Sequence, residues 1–270
     1  MVRCCRRIKG GVSEPGKKLI RNGRSPAGAI TDLAEAVDRC AAYTAAGFWG
    51  DQTIYHLAAR QARAMPQAFA LRDRDRRLSY PELVDAADRL AAHLAGHGIR
   101  PGNRVAVWLP SRVETAIALL ACSRNGYMCC PSLHRNHRVR EVVALAERMR
   151  CSALIAQPAY GADADRCDVF SELAGRDFVR CAWRVGSADA VPFGELPGPA
   201  LEAERSGDAN QVMYLPFTSG TTGEPKGVMH SDNTLLATPQ NLGVGMRVVS
   251  ALNSPAPAVH GPAVSMPEFP

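Results

Sequence analysis

Residues 214–230 read YLPFTSGTTGEPKGVMH. An apolar run from Tyr214 to Phe217 stops at Thr218. The ten residues from Thr218 to Gly227 are dominated by hydroxyl side chains, glycine, proline and lysine, with almost nothing that packs in a core. A short apolar return, Val228 and Met229, follows. A strand that empties into such a loop predicts an anion site. Glycines let the backbone approach closely, consecutive N–H groups and hydroxyls donate hydrogen bonds, and a lysine adds a full positive charge. Pro225 removes one N–H and fixes its own φ, stiffening the loop just before Lys226.

Two familiar phosphate loops are excluded. The nucleoside-triphosphatase pattern needs six residues from its first glycine to its last, then Lys and Ser or Thr. Here Gly220 and Gly223 stand closer together, and Lys226 lies between Pro225 and Gly227. The dinucleotide pattern G-x-G-x-x-G is not in this segment either.

The flanking chain alternates strand and helix signals. Helices are expected over 31–46, 53–65, 79–98, 111–124, 139–149 and 230–238, the last with Ser231 or Asp232 as its cap. Two of them open on capping boxes, Ser79-x-x-Glu82 and Ser111-x-x-Glu114. Strands are expected at 68–72, 77–78, 104–109, 127–130, 152–156, 179–183 and 212–217. Residues 158–176 read as polar and irregular, and 186–210 as a surface connection. The alternation means βαβ units: an α/β fold, a mostly parallel sheet with flanking helices. A ligand loop at the carboxyl end of a strand is where open α/β sheets bind ligands.

TSGTTGEPKG, Thr218 to Gly227, resembles without a gap the signature loop of the adenylate-forming (AMP-binding) enzymes: acyl-CoA synthetases, adenylation domains and luciferases. The resemblance extends upstream through RRLSYPELVDAADRLAAHLAGHGIRPGNRVAVWLP (76–110) and covers roughly residues 40–238. AAGFWGDQTI (45–54) and ACSRNGYMCCPSLHRNH (121–137) are most similar to the acyl-CoA synthetase branch that includes cyclohexanecarboxylate–CoA ligase-like proteins. A peptide-synthetase adenylation domain matches the loop but not 121–137. The resemblance implies a partial N-terminal domain of the adenylate-forming fold over 31–238.

It also implies a reaction: a small-molecule carboxylic acid, fatty or alicyclic, attacks ATP to give acyl-AMP, and coenzyme A then takes the acyl group. The nucleotide phosphates fall to Thr218, Ser219, Gly220, Thr221, Thr222, Gly223 and Lys226. ATP, Mg2+ and coenzyme A are the implied cofactors and co-substrates. The family's downstream segments do not occur in this sequence: a Y-G-x-T-E-like run for adenine and magnesium, an Asp for the ribose, a C-terminal domain with a catalytic Lys. The expectation is therefore a truncated acid–CoA ligase with no complete catalytic set and no metal ligand of its own, poorly soluble and inactive alone. The alternative is a non-catalytic nucleotide-binding pseudoenzyme or relic.

Composition agrees with a globular domain: 46% hydrophobic and 21% charged residues in 270. No apolar run reaches membrane-span length. The net charge of +6 is uneven. Residues 1–30 hold eight basic residues and the single acid Glu14, so the body is near neutral. That leader has no aromatic residue, which argues against nucleic-acid binding, and no apolar run of a secretory signal. It reads as a disordered basic extension, with an organelle-targeting segment as the alternative. Residues 239–270, with six prolines and only Arg247 and Glu268 charged, read as a disordered tail of unrelated sequence from a truncation or frameshift, with a genuine short variant as the alternative.

Nine cysteines without a C-x-x-C predict reduced thiols in a cytoplasmic protein. Cys129 and Cys130 are adjacent on an expected strand, point to opposite faces and do not share a metal. His230 is a candidate beside the substrate or for packing. Trp49 and Trp108 read as core or interface residues, and Asp73 and Asp75 as solvated turn residues. The sequence assigns no oligomeric state.

Overall fold

The computed structural model describes residues 40–131, 135–186, 190–196, 207–218 and 226–241. The chain divides into two units, 1–50 and 51–270. Within the first, 40–45 form a helical turn, and the Tyr43 and Trp49 rings stand 5.2 Å apart. The helix expected over 31–46 is seen in this last part; 31–39, the basic leader and the tail beyond Asn241 lie outside the described residues.

The second unit opens with α1 (Ile54–Ala64), capped by Thr53, whose hydroxyl accepts the His56 N–H while the His56 ring accepts the Thr53 N–H. Strands β1 (Phe69–Arg72) and β2 (Arg77–Ser79) form an antiparallel hairpin. Helix α2 (Tyr80–Gly96) starts on the expected Ser79–Glu82 capping box. It buries Leu83, Ala86, Ala87, Leu90, Ala91 and Leu94, a stripe of helical period. Then come β3 (Arg104–Trp108), α3 (Val113–Asn125), β4 (Met128–Cys130), α4 (Val139–Met149), β5 (Ala153–Ala156), α5 (Val169–Leu173), β6 (Cys181–Arg184) and β7 (Val212–Tyr214). After these follow β8 (Phe217–Thr218), β9 (Lys226–Gly227), β10 (His230–Ser231) and α6 (Asp232–Asn241).

Six strands form one sheet in the order β10-β7-β4-β3-β5-β6. Every neighbouring pair is parallel except β10 with β7 at the edge. Strand alternation sorts the core into two layers. Val105, Val107, Cys129, Ala153 and Ile155 face α1, α2 and α3. Ala106, Trp108, Cys130, Leu154 and Ala156 face α4 and α5. Adjacent Cys129 and Cys130 thus enter different layers, as expected. Both sheet faces are covered, which is why these strands read as continuous apolar runs. Alanines 87, 91, 118 and 121 are fully buried and let α2 and α3 approach closely. Gly126 (φ 67°) ends α3 in the left-handed conformation that admits glycine at little cost.

Several expectations are corrected. The capping box at Ser111–Glu114 does not form, and α3 has no side-chain cap from its own N-cap residue, Arg112. Asp73 serves instead: its Oδ2 accepts the Val113 N–H at 3.1 Å. Glu114 is drawn to Arg76 and, at 3.1 Å, to Arg112. Asp73 is therefore not a solvated turn residue; its side chain is only 9% exposed. Burial opposes its charge. The N–H groups of Val113, Arg76 and Asp75, with the Arg76 guanidinium, outweigh burial and hold the carboxyl below its usual range.

The 158–176 segment is not wholly irregular. Asp168 accepts the N–H groups of Phe170 and Ser171 and starts the short α5, which buries Val169, Phe170 and Leu173. The expected surface connection at 186–210 contains a 3-10 turn, Phe193–Glu195, whose Phe193 (4% exposed) and Leu196 pack into the core beside α2. The expected strand 212–217 breaks in two at Pro216, which has no N–H to continue the ladder.

Candidate functional site

The break at Pro216 builds the site. Leu215 still donates its N–H to Cys129 O at 2.8 Å, the last rung of the main sheet on this side. Pro216 O then accepts the Val228 N–H at 2.9 Å. Phe217 pairs with Gly227, and Thr218 with Lys226, in a separate antiparallel ribbon. The chain leaves the carboxyl end of β7 on β8 and returns on β9. Directly paired antiparallel residues lie about 5 Å apart, so this ribbon holds Thr218 and Lys226 side by side as the two ends of the segment 219–225.

Gly227 lies close against its neighbours. A Cβ there would lie 3.1 Å from Leu215 Cδ1 and 3.3 Å from Phe217 Cε1, side chains that rest on the core layer below. Of the expected phosphate-binding residues, Thr218 and Lys226 are brought together. Lys226 is exposed. Ser219, Gly220, Thr221, Thr222 and Gly223 lie outside the described residues. Val228 (40% exposed) and Met229 (53%) face outward.

His230 sits on β10 opposite Tyr214, with ring centroids 6.0 Å apart. Its Nδ1 lies 3.5 Å from Thr234 Oγ1. Burial, with Cys129 nearby, raises the Tyr214 phenol above its usual range, so it stays neutral. The next two residues were missed as site elements. Ser231 caps α6 reciprocally: its hydroxyl accepts the Thr234 N–H at 3.2 Å, and Thr234 Oγ1 accepts the Ser231 N–H at 2.9 Å. Asp232 turns away from its own helix, and its Oδ1 accepts the Ile54 N–H and the Ser123 hydroxyl, each at 2.8 Å. No local sequence signal marks these partners, which lie 178 and 109 positions away.

The chemistry of the donor set fits a polyanion: a lysine and a threonine at the mouth of a hydroxyl- and glycine-rich segment, on the ligand side of a parallel sheet. It does not fit a metal by itself. Among the described residues no group of three or more His, Cys, Asp or Glu side chains converges. Thiol chemistry is also disfavoured there. The neighbouring Cys122 thiol and burial push Cys129 well up, and Cys151 and burial do the same to Cys130. Burial pushes Cys181 up to about 12. A cavity of about 190 Å³ lies between Arg76, Arg112, Gly186 and Phe193, but its two guanidinium groups are matched by Asp73 and Glu114.

Known proteins give the family. The model of the AMP-binding enzyme family matches residues 58–269. The 2-hydroxy-7-methoxy-5-methyl-1-naphthoate–CoA ligase of Streptomyces carzinostaticus is 34% identical over 212 residues, 73% of this chain and 38% of that protein. The salicyl-AMP ligase / salicyl-S-ArCP synthetase of Mycobacterium tuberculosis is 33% identical over 228 residues, 74% and 37% of the two chains. The apo structure of Mycobacterium smegmatis MbtA superposes with a TM-score of 0.61 at 34% identity, covering 73% of this chain and 37% of that one. The chain thus spans little more than a third of the length of these relatives. Its fold is that of the N-terminal part of adenylate-forming enzymes, and the chain belongs to the AMP-binding enzyme family.

Proposed function

We propose that this chain carries the ATP-phosphate grip of an acid-activating ligase. In the reaction, a carboxylate oxygen bonds to the α-phosphorus of ATP and the bond to the β-phosphate breaks. Pyrophosphate leaves and acyl-AMP remains. A thiol, coenzyme A in the simplest case, then takes the acyl group and releases AMP. The difficulty of the first step is charge, because an anion attacks an anion and a third departs. Fixed donors aimed at such charge are often the largest catalytic contribution.

The observation that carries this reading is the Thr218–Lys226 pairing at the carboxyl end of the parallel sheet. Lys226, Thr218, Ser219, Thr221 and Thr222, with the N–H groups of Gly220 and Gly223, would hold the phosphates. One ammonium about 4 Å from a phosphate charge is worth roughly 4 kcal/mol at an effective dielectric of 20. Mg2+ would arrive with the nucleotide and screen its charge. Aryl acids of the salicylate and naphthoate kind come first as substrates, because the relatives at 33–34% identity are named for them. Alicyclic acids of the cyclohexanecarboxylate type, and fatty acids, follow from the 45–54 and 121–137 segments. A reducing, cytoplasmic setting suits the unjoined thiol neighbours Cys122 and Cys129.

Calorimetry with MgATP on the whole chain tests this. The wild type should bind, and Lys226→Ala should bind at least about tenfold more weakly, the loss of one charge-assisted contact, with an unchanged melting temperature. A wild type that does not bind, or equal binding by both chains, sinks the reading. Acid-dependent exchange of pyrophosphate into ATP, across salicylate, naphthoate, cyclohexanecarboxylate and fatty acids, ranks the substrates. Binding without exchange for any acid assigns the chain to nucleotide binding alone.

A further inference from the structure

We propose that Asp232 is the positioning residue that fixes the exit of the phosphate loop, by locking the first turn of α6 onto the N-terminus of α1 and onto Ser123 of α3. This rests on the reading of 218–227 as a phosphate grip.

The geometry is specific. Asp232 is 1% exposed. Its Oδ1 accepts the Ile54 N–H and the Ser123 hydroxyl, and Ser123 Oγ in turn accepts the Tyr55 N–H at 3.1 Å. Ile54 and Tyr55 are the first two residues of α1. Their amide hydrogens have no partner within the helix, and the helix dipole favours an anion at that end. One carboxylate and one hydroxyl therefore satisfy two orphan donors of another helix.

An ordinary capping role is already filled, because Ser231 and Thr234 cap α6 between themselves. The carboxylate is kept in place at a cost. Burial raises its pKa, against the Ile54 amide, the Ser123 hydroxyl and the charge of His56, which pull it down. A residue that only started α6 would be exposed and would carry no such cost.

The network continues on both sides. The next residue, Asn233, donates its N–H to Ala209 O at 3.1 Å and its side-chain amide to Asn210 Oδ1 at 2.9 Å. Ala209 and Asn210 lie just before β7, the strand that leads into the loop. On the far side, the Tyr55 hydroxyl donates to Asp88 at 2.7 Å, which also accepts from buried Arg124 at 2.6 Å. Residues 232–233 thus join the exit of the loop to its entry and to the helix layer beneath the sheet. Only five residues separate Asp232 from Lys226, so a slip of this lock moves the lysine directly.

Hydrogen exchange of the backbone amides in the whole chain tests this, beside MgATP binding. Asp232→Ala should raise exchange about tenfold or more across 226–234, the effect of losing a buried charged acceptor. The β3 and β5 amides should stay at wild-type rates. Asp232→Asn keeps an Oδ1 that accepts from both donors and should restore slow exchange. Ser123→Ala, which removes one donor, should raise exchange in the same segment to a smaller degree. It also serves as the test if the Asp232→Ala chain does not fold. MgATP affinity should weaken at least tenfold in Asp232→Ala and hold in Asp232→Asn.

The proposal is overturned if 226–234 keeps wild-type exchange in Asp232→Ala or, where that chain does not fold, in Ser123→Ala. It is also overturned if exchange rises equally in β3 and β5, or if Asn and Ala behave alike. If the wild type does not bind MgATP while the exchange pattern holds, the phosphate-grip reading fails and the lock stands.

Discussion

The central strands β3 and β5 lie in the middle of the main sheet and the stem β8–β9 follows β7 of that sheet, yet they are held in different ways. Every residue from Val105 to Trp108 and from Ala153 to Ala156 is buried, with helices on both faces and a parallel partner on each side. The stem is two residue pairs long, carries exposed Lys226, Gly227, Val228 and Met229, and touches the core chiefly through Leu215 and Phe217. The platform draws its stability from buried apolar area spread over many residues. The ribbon draws its position from a few contacts at its ends. An anion loop needs this division. Its donors must reach solvent and the ligand, so they cannot be fixed by burial and are fixed by what anchors the loop's two legs.

The largest consequence lies in the platform. Ile155 is fully buried at the centre of β5, between β3 and β6. Ile155→Ala should cost about 2–5 kcal/mol through lost burial and a residual cavity, read as a lowered urea midpoint for the whole second unit. A cost below about 1 kcal/mol would mean that the platform is no more tightly packed than the stem.

Next comes the stem itself. Valine at position 227 places two methyl groups where even a Cβ meets Leu215 and Phe217 at 3.1–3.3 Å. Gly227→Val should cost about 1–3 kcal/mol locally, as overpacking does. The expected signature is faster exchange at the Val228 amide and weaker MgATP binding, with the urea midpoint of the platform unmoved. A shift of that midpoint as large as that of Ile155→Ala would erase the distinction between the two regions.

The same division explains what could be read from the sequence. The platform was legible because its signals are local and repeated. Ser79–Glu82 closes a capping box within four residues, the α2 stripe recurs at helical period, and RVAVWL (104–109) can only be a buried strand. The end of the apolar run at Thr218 was legible because the residues that follow have no use in a core; 219–225 themselves lie outside the described residues. What failed was whatever depended on distant partners. Ser111–Glu114 has the spacing of a capping box, but Arg76 and Asp73 approach from another hairpin and take over its two ends. Phe193 lies in a glycine- and proline-rich stretch, yet α2 leaves a place for it in the core. Asp232 reads as a helix start from any window of sequence, and only the fold brings it to Ile54 and Ser123.

The smallest effect is the most discriminating, because it concerns the end of the stem alone. Burial raises the Asp232 carboxyl above its ordinary value of 3.8. The folded chain therefore binds the proton more tightly than the unfolded chain. The stability that this tighter binding adds is fully present below pH 3.8 and is lost as pH rises through the raised folded value. At pH 7 the wild type bears the whole cost of a buried charge. Asp232→Asn carries no charge and keeps the Oδ1 acceptor, so at pH 7 it should melt at or slightly above the wild type, by less than about 1 kcal/mol, the scale of a single hydrogen bond. The difference should shrink as pH is lowered toward 3.8, because protonation makes the wild-type side chain neutral as well. An Asn chain that melts well below the wild type at pH 7 would show that the carboxylate charge at the α1 terminus is worth more than its burial costs. The stem would then be anchored electrostatically, and its position would weaken with acid instead of holding.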